Sequence, residues 1–117
     1  MEKEDFIGLF LPEFVLENFD AVSYSVTVDA INIYLDEKAI KPNTKEKFIS
    51  KGFTPATKVQ DFPARGKAVL LHIRRRKWLN TESNKITTRA YELSHYGTDL
   101  SEEFVAFLKG KNRIFSN

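Results

Sequence analysis

The chain has 117 residues, of which 42% are apolar and 13% aromatic, and this length and composition suit one compact domain, residues 1–117, with a modest core. It has no cysteine, which excludes disulfides and thiolate zinc sites, and it has only two histidines, so we expect no metal and no other cofactor. Its apolar runs are far shorter than the roughly 20 residues that span a bilayer, and residues 1–5 are too acidic for a secretory signal, so we expect a cytoplasmic protein.

The formal net charge of +2 is unevenly distributed along the chain. Residues 1–63 contain 7 Lys and Arg against 11 Asp and Glu, a net of −4, whereas residues 64–117 contain 11 against 5, a net of +6. A basic half is typical of a protein that binds an acidic partner, most often nucleic acid. An unevenly charged solvated surface gives the same count, and both interpretations stay open at this point.

The first third of the chain predicts two short helices and a β-hairpin. Apolar side chains within residues 6–10 recur at helical spacing, and Pro12 followed by an apolar turn is typical of a second helix with proline at its first position. Residues 22–35 then alternate between apolar and polar side chains on both sides of a turn near Asp29 and Ala30. This alternation predicts two antiparallel strands.

The middle of the chain predicts further strands separated by turns. The sequence KFISKGF, residues 47–53, suits a short strand, and another is expected at Val59. A turn through residues 63–66 leads into one long strand from Lys67 to Leu79. The alternation of this strand places three apolar side chains on the core face: Val69, Leu71 and Ile73.

The last third predicts a hairpin return and an amphipathic helix. Residues 80–84, NTESN, suit a turn, and residues 85–93 can return as an antiparallel partner. Asp99, with Glu102 three residues later, is typical of a helix N-cap. The helix that follows carries an apolar stripe formed by Leu100, Phe104, Phe107 and Leu108. We expect an α+β fold: a small antiparallel sheet of about five or six strands, with short N-terminal helices and the C-terminal helix packed on one face.

Four consecutive cations form what we call the basic arm: Arg74, Arg75, Arg76 and Lys77. Because neighbouring residues of a strand point to opposite faces, the four cannot all share one side, and we expect the strand to project beyond the core near the hairpin tip. A two-stranded ribbon of this kind can lie along the phosphates of double-stranded DNA. Four further cations extend the predicted DNA-binding patch: Arg65, Lys67, Lys85 and Arg89.

The aromatic and titratable residues near the basic arm leave two interpretations open. Trp78 either stacks on a base or sugar of the DNA or closes one end of the core. His72 and His95 are more typical of structural residues than of bases or metal ligands. The chain has no glycine-rich phosphate loop, no cysteine nucleophile and no metal-spaced cluster, so we do not expect an enzyme.

The order of the motifs SKGF, VQDFPARGKAVLLHIRRRKW, YEL and YGTDLSEEFVAFL resembles the N-terminal region of ISL-three-type insertion-sequence transposases of bacteria. It is most similar to the separately encoded N-terminal protein of the ISAon-one group. The corresponding head of the larger family is a zinc-binding module. The positions that match its pattern are Asp61, Phe62, Pro63, Gly66, Val69, Leu71, Arg75 and Arg76, and then Gly97, Thr98, Leu100, Phe104 and Leu108. The chain departs from the pattern at residues 78–84, where the family places its second cysteine knuckle, so zinc is not carried over.

What the resemblance implies is a non-catalytic component of a transposition system. Such a component binds double-stranded DNA at the ends of the element and works with a separately encoded DDE catalytic chain, and a homo-oligomer is left open. The alternative is a protein-interaction adaptor that docks the DDE chain and hardly contacts DNA. An exposed, continuous basic surface over residues 74–77 favours DNA binding, whereas an exposed apolar patch favours the adaptor.

Overall fold

The structure, a computed structural model, describes residues 8, 11–42, 44–93, 100–110 and 114–116. Within these ranges the fold is α+β, as the sequence predicts, with two short helices. The strands form two four-stranded sheets and not the single small sheet of about five or six strands that the sequence predicts, because the chain passes from one sheet to the other at Arg75. The helices are α1 (Glu13–Asn18) and α2 (Glu102–Lys109). The strands are β1 (Phe19–Val26), β2 (Ala30–Glu37), β3 (Phe48–Phe53), β4 (Thr57–Ala64), β5 (Lys67–Arg74), β6 (Arg76–Asn80), β7 (Lys85–Thr88) and β8 (Ile114–Ser116).

The N-terminal helix prediction is confirmed where it can be compared. The first predicted helix, residues 6–10, lies outside the described residues apart from Gly8. The second is α1, which begins directly after Pro12. The ring of Pro12 fixes its φ at −68°, a value compatible with entry into a helix. Phe14 and Val15 of α1 are buried, so this short helix is held by packing.

The first sheet, sheet A, has the strand order β1-β2-β5-β4. Strands β1 and β2 form the predicted antiparallel hairpin, and β4 and β5 form another whose turn contains Arg65 and Gly66 with φ of 52° and 77°. Two-residue hairpin turns of type I′ require a positive φ at both central residues, and the twist of such turns matches that of the flanking strands. Strands β2 and β5 are parallel, not antiparallel as expected, because residues 38–66 return the chain to the start of β2 before β5 begins.

The second sheet, sheet B, is antiparallel with the order β3-β6-β7-β8. The predicted long strand from Lys67 to Leu79 is in fact β5 and β6, which belong to different sheets and are separated only by Arg75. The predicted turn at residues 80–84 is confirmed. There the side-chain Oδ1 of Asn80 accepts hydrogen bonds from the main-chain N–H groups of Glu82 and Ser83, at 2.9 and 3.1 Å.

The main core lies on one face of sheet A, beneath α2. Val69, Leu71 and Ile73 are buried in one cluster with Leu100, Phe104 and Leu108, and Phe107 packs against its edge, so the predicted packing of helix on sheet is confirmed. The predicted N-cap, Asp99, lies outside the described residues, and the cap of α2 is Ser101. Its hydroxyl accepts from the main-chain N–H of Phe104 at 3.1 Å and donates to the carbonyl of Gln60 on β4 at 3.0 Å. No helix in the described ranges is long and apolar enough to cross a membrane.

Candidate nucleic-acid interface

Arg75 is a core residue, so the prediction that the basic arm projects as an exposed unit is wrong. The apolar core face of β5 continues through Ile73 to Arg75, and that of β2 continues through Leu35 to Glu37. Arg75 donates from Nε to Oε1 of Glu37 at 3.0 Å, and its Nη2 donates to the carbonyl of Arg89. A buried guanidinium needs such a counter-charge, and Glu37 supplies it from a different strand.

Glu37 joins several groups at the point where the two sheets meet. Its Oε1 also accepts from the main-chain N–H of Arg76 at 2.9 Å, and its Oε2 accepts from the hydroxyl of Tyr91. Burial and then the nearby Glu37 charge raise the pKa of Tyr91 far above its ordinary value. Tyr91 therefore stays a neutral donor, and the buried carboxylate is fully hydrogen-bonded.

The bend in the chain at Arg75 is fixed by its main chain as well as by its side chain. The N–H of Arg75 donates to Oγ1 of Thr54 at 3.0 Å, and the N–H of Thr54 donates to the carbonyl of Arg75 at 2.8 Å. Thr54 lies between β3 of sheet B and β4 of sheet A. The arginine run is thus the junction of the two sheets and not the tip of a hairpin.

Arg74 and Arg76, on either side of Arg75, point away from the core. The side chain of Arg74 is 45% exposed, and its Nε and Nη2 form two bonds to the carboxylate of Asp36, at 2.7 and 2.6 Å. The Nη1 of Arg76 donates to Oγ of Ser50 at 3.0 Å. The Cζ atoms of both arginines lie over the ring of Phe53, at 4.3 and 4.5 Å from its centroid. These contacts hold two guanidinium groups in fixed positions on one side of the junction.

The charged groups of this junction do not cancel. We define the junction cluster as Arg74, Arg75, Arg76, Arg89, Asp36 and Glu37. Its four guanidinium groups against two carboxylates leave an excess of two positive charges. Asp20, opposite Asp36 on β1, lowers the local excess, and the exposed Lys58 on β4 raises it. The junction is therefore a region of net positive charge, and it lies next to the face of sheet A opposite the core.

The other predicted cations do not join Arg74 in one patch. Arg65 and Lys67 lie at the opposite end of β5, roughly 23 Å from Arg74 at about 3.3 Å per residue. The Nζ of Lys67 donates to the carbonyls of Thr27 and Val28, at 2.6 and 2.7 Å, and so ties two turns together. At the far end of sheet B, Lys85 is exposed beside the 80–84 turn.

The remaining predicted cations lie nearer the junction. Lys77 is half-buried opposite Thr88 in the β6–β7 ladder. The half-buried Arg89 donates from Nη1 to Oδ1 of Asn18 at 3.2 Å, and its Cζ lies 4.7 Å from the ring centroid of Tyr91. The eight predicted cations are therefore distributed over three parts of the molecule, and the single continuous basic surface expected from the sequence is wrong.

Trp78 belongs to a core, so its interpretation as a base-stacking residue is wrong and the alternative is confirmed. Its side chain is 3% exposed on β6. Ser50 of β3 and Thr87 of β7 are its cross-strand neighbours. Its Nε1 finds no acceptor within the part of the chain that the structure describes. The ring is buried on the central strand β6 of sheet B and is not presented to a ligand.

The face of sheet A opposite the core carries an aromatic pair that sequence reasoning missed. The rings of Tyr34 on β2 and His72 on β5 are stacked, with centroids 4.4 Å apart and planes inclined by 16°. The Nε2 of His72 lies 2.8 Å from Oδ1 of Asn32. Burial, and then the charge of Lys58, lower the pKa of His72, so a neutral ring that donates from Nε2–H fits this contact. The available signal was an aromatic residue on the polar side of an alternating strand.

Comparison with known proteins gives no relative from which a site can be transferred. No protein-family model matches the chain, and no curated protein or solved structure is significantly similar to it. Across the described ranges, no group of three or more His, Asp or Glu residues is placed to hold a metal ion. The chemistry available at the junction is that of fixed guanidinium groups and half-buried aromatic rings.

Proposed function

We propose that this protein is a non-catalytic, DNA-binding component of a bacterial insertion-sequence transposase, acting in the cytoplasm beside a separately encoded DDE catalytic chain. The proposal rests on the motif order described above and on one structural observation. That observation is the excess of two positive charges in the junction cluster, whose most exposed guanidinium, that of Arg74, is paired with Asp36. Fixed guanidinium groups match the geometry of phosphate oxygens, which the backbone of DNA supplies.

Two donors at the junction remain available to phosphate oxygens. In the described part of the chain, Nη1 of Arg74 and Nη2 of Arg76 donate to no protein acceptor. Phe53 and the partners Asp36 and Ser50 already restrict both side chains. On binding a phosphate, these two arginines therefore lose less side-chain freedom than two mobile lysines would. The entropic cost of binding is correspondingly lower.

The proposal is tested by the salt dependence of binding to a short DNA duplex, measured by fluorescence anisotropy. Each phosphate contact contributes about −0.9 to the slope of log K against log salt concentration. Arg74→Gln is expected to weaken binding and to flatten this slope by about 0.9. The control is Arg65→Gln, which makes the same change at the other end of β5 and is expected to leave the slope unchanged.

Two results would contradict the proposal. Wild-type protein that shows no salt-dependent affinity for DNA, either duplex or single-stranded, is not a DNA-binding component. A slope that changes in Arg65→Gln but not in Arg74→Gln removes the junction cluster from the interface.

A second candidate, the adaptor, is favoured by a different observation. Apolar side chains are exposed along β1 and its turn, including Val26 at 49% and Val28 at 87%. Exposed apolar clusters are typical of protein docking surfaces. Val26→Ser with Val28→Ser should then prevent co-elution with the proposed DDE catalytic chain while leaving DNA binding unchanged. If the double variant still co-elutes, this surface is not the docking site.

A further inference from the structure

We propose that the outer face of sheet A binds the unpaired bases of single-stranded DNA on a strip of stacked planar side chains. This stacking strip consists of Tyr34, His72, Arg74, Phe53 and Arg76. The inference rests on the proposed function, because it specifies the form of DNA that the protein recognises.

The strip is continuous because of the strand register. Tyr34 and His72 are direct neighbours in the parallel β2–β5 pair, and their rings stack at 4.4 Å. Arg74 follows His72 on the same face, and the ring of Phe53 lies within 4.5 Å of the guanidinium carbons of both Arg74 and Arg76. Planar groups therefore recur from the centre of sheet A, across the bend, to the start of sheet B.

The strip is open at Tyr34, which is 37% exposed although it lies on a central strand. Its neighbour on the other side is Ser23 of β1, and Asn32 likewise has Ser25 beside it. These small side chains leave room for a planar group against the second face of the Tyr34 ring. The two hydroxyls and the Asn32 amide supply donors and acceptors for the edges of a base.

Charge favours a nucleic acid over a protein as the ligand of this face. Lys58 lies directly opposite His72 on β4, and the guanidinium groups of Arg74 and Arg76 lie at the other end of the strip. The carboxylates of Asp36 and Asp20 lie on the same face, so these three cations exceed the two acids by one positive charge. The surrounding positions are mainly polar, with Ser23, Ser25 and Asn32 on one side, and an apolar protein surface would bury them without compensation. Aromatic rings and arginines that alternate with a few cations are the composition of single-strand binding surfaces.

Unpaired bases fit the strip better than a duplex does. In a duplex each base is already stacked between its neighbours, so its face is not available to the ring of Tyr34 or to the guanidinium planes that lie over Phe53. A single strand presents those faces, and its phosphates remain free to contact Lys58 and Arg74. The strip therefore predicts a preference for single-stranded over double-stranded DNA of the same length.

The test compares labelled single-stranded DNA of about 12 nucleotides, a length within the usual site sizes, with its duplex by fluorescence anisotropy. Tyr34→Ala is expected to weaken single-strand binding by about 5- to 150-fold, while Tyr34→Phe, which keeps the ring, binds as wild type. The matched control is Tyr24→Ala. Tyr24 is 38% exposed, close to the 37% of Tyr34, but lies on the opposite face of the sheet, so this variant should retain wild-type affinity.

The possible outcomes separate this inference from the proposed function. The protein could bind duplex DNA, in a salt-dependent way, as tightly as single-stranded DNA, with Tyr34→Ala binding both as tightly as wild type. That result overturns the stacking strip but leaves the proposed function. Absence of binding to both forms of DNA overturns both, and tighter binding to RNA of the same sequence overturns the assignment to DNA. If Tyr34→Ala fails to fold, the test is the fluorescence of 2-aminopurine placed in the single-stranded oligonucleotide and titrated with wild-type protein. Quenching by stacking supports the strip, and unchanged fluorescence overturns it.

Discussion

Arg75 donates from Nε to Oε1 of Glu37 at 3.0 Å, in an ion pair whose side chains are 6% and 1% exposed. Arg75 directly follows Arg74, and Glu37 directly follows Asp36. Arg74 and Asp36 are neighbours in the parallel β2–β5 ladder. The pair is thus the charged end of a core that is aliphatic from Ile31 onward. Desolvation offsets most of what a buried pair contributes, but loss of one partner leaves a buried charge without compensation.

Loss of the Arg75 side chain is therefore expected to be costly. Arg75→Met leaves the buried Glu37 without its counter-charge, and should lower the free energy of unfolding by about 3 to 5 kcal/mol. Arg74→Met is the matched control, because its pair with Asp36 is partly solvated and its loss should cost far less stability. Urea denaturation of both variants measures the difference. Equal losses would show that Arg75 is not the structural member of the run.

Phe104 is expected to be a main stabilising residue of α2. It is completely buried between the helix and sheet A, and its ring contacts that of Phe19 at a centroid distance of 6.3 Å. Phe104→Ala should cost about 3 to 5 kcal/mol, whereas Phe62→Ala, at a position that is exposed on β4, should change stability by about 0.5 kcal/mol or less. Thermal melts followed by circular dichroism provide the comparison. A small loss in Phe104→Ala would show that α2 does not cover the core in solution.

The parts of the fold that follow from local periodicity could be predicted from the sequence. The alternation of Val69, Leu71 and Ile73 and the helical spacing of Phe104 and Leu108 each identify a buried face within a few residues of chain. The turns at residues 63–66 and 80–84 follow from glycine and asparagine, which tolerate positive φ or bond their own main chain. These signals require no knowledge of distant residues.

The junction could not be predicted, because its cause lies elsewhere in the chain. Arg75 is buried only because Glu37, 38 residues earlier, reaches the same place through a parallel strand pair. The sequence shows four adjacent cations, and adjacent cations are usually solvated. The stacking strip has the same origin, since Phe53 and Arg74 meet only after β3 has paired with β6.

Trp78 provides a test of how sheet B is held together. Because its ring is buried, Trp78→Ala should lower the free energy of unfolding by about 3 to 5 kcal/mol. Trp78→Phe removes an Nε1–H that finds no acceptor within the described residues, which offsets part of the lost volume, so a smaller loss is expected. Denaturant titrations measure both. Unchanged stability in Trp78→Ala together with weaker DNA binding would restore the base-stacking interpretation.

Removal of metal ions is expected to leave the protein folded. The chain has no cysteine, and none of the described residues form a cluster that could hold a metal. A chelator should therefore leave the melting temperature unchanged, unlike in zinc modules whose folding depends on the metal. Stoichiometric zinc in purified protein, with a drop in melting temperature on chelation, would contradict this.

Asp61 is expected to destabilise the folded chain at neutral pH. Its carboxyl is buried beside the start of α2, and burial raises its pKa, although the nearby polar groups of Phe62 and Ser101 oppose the shift. A carboxyl with a raised pKa binds protons more tightly in the folded state. The loss of stability that its ionised form causes is therefore present above the folded pKa and disappears as the pH falls through it. Asp61→Asn should therefore increase the free energy of unfolding at pH 7, and this gain should shrink toward zero as the pH is lowered to the ordinary value of 3.8. Asp29→Asn, in the exposed β1–β2 turn, is the control and should change stability by about 0.5 kcal/mol or less. Urea titrations at several pH values measure the difference, and a variant that is less stable than wild type at pH 7 would show that the Asp61 charge stabilises the N-terminus of α2.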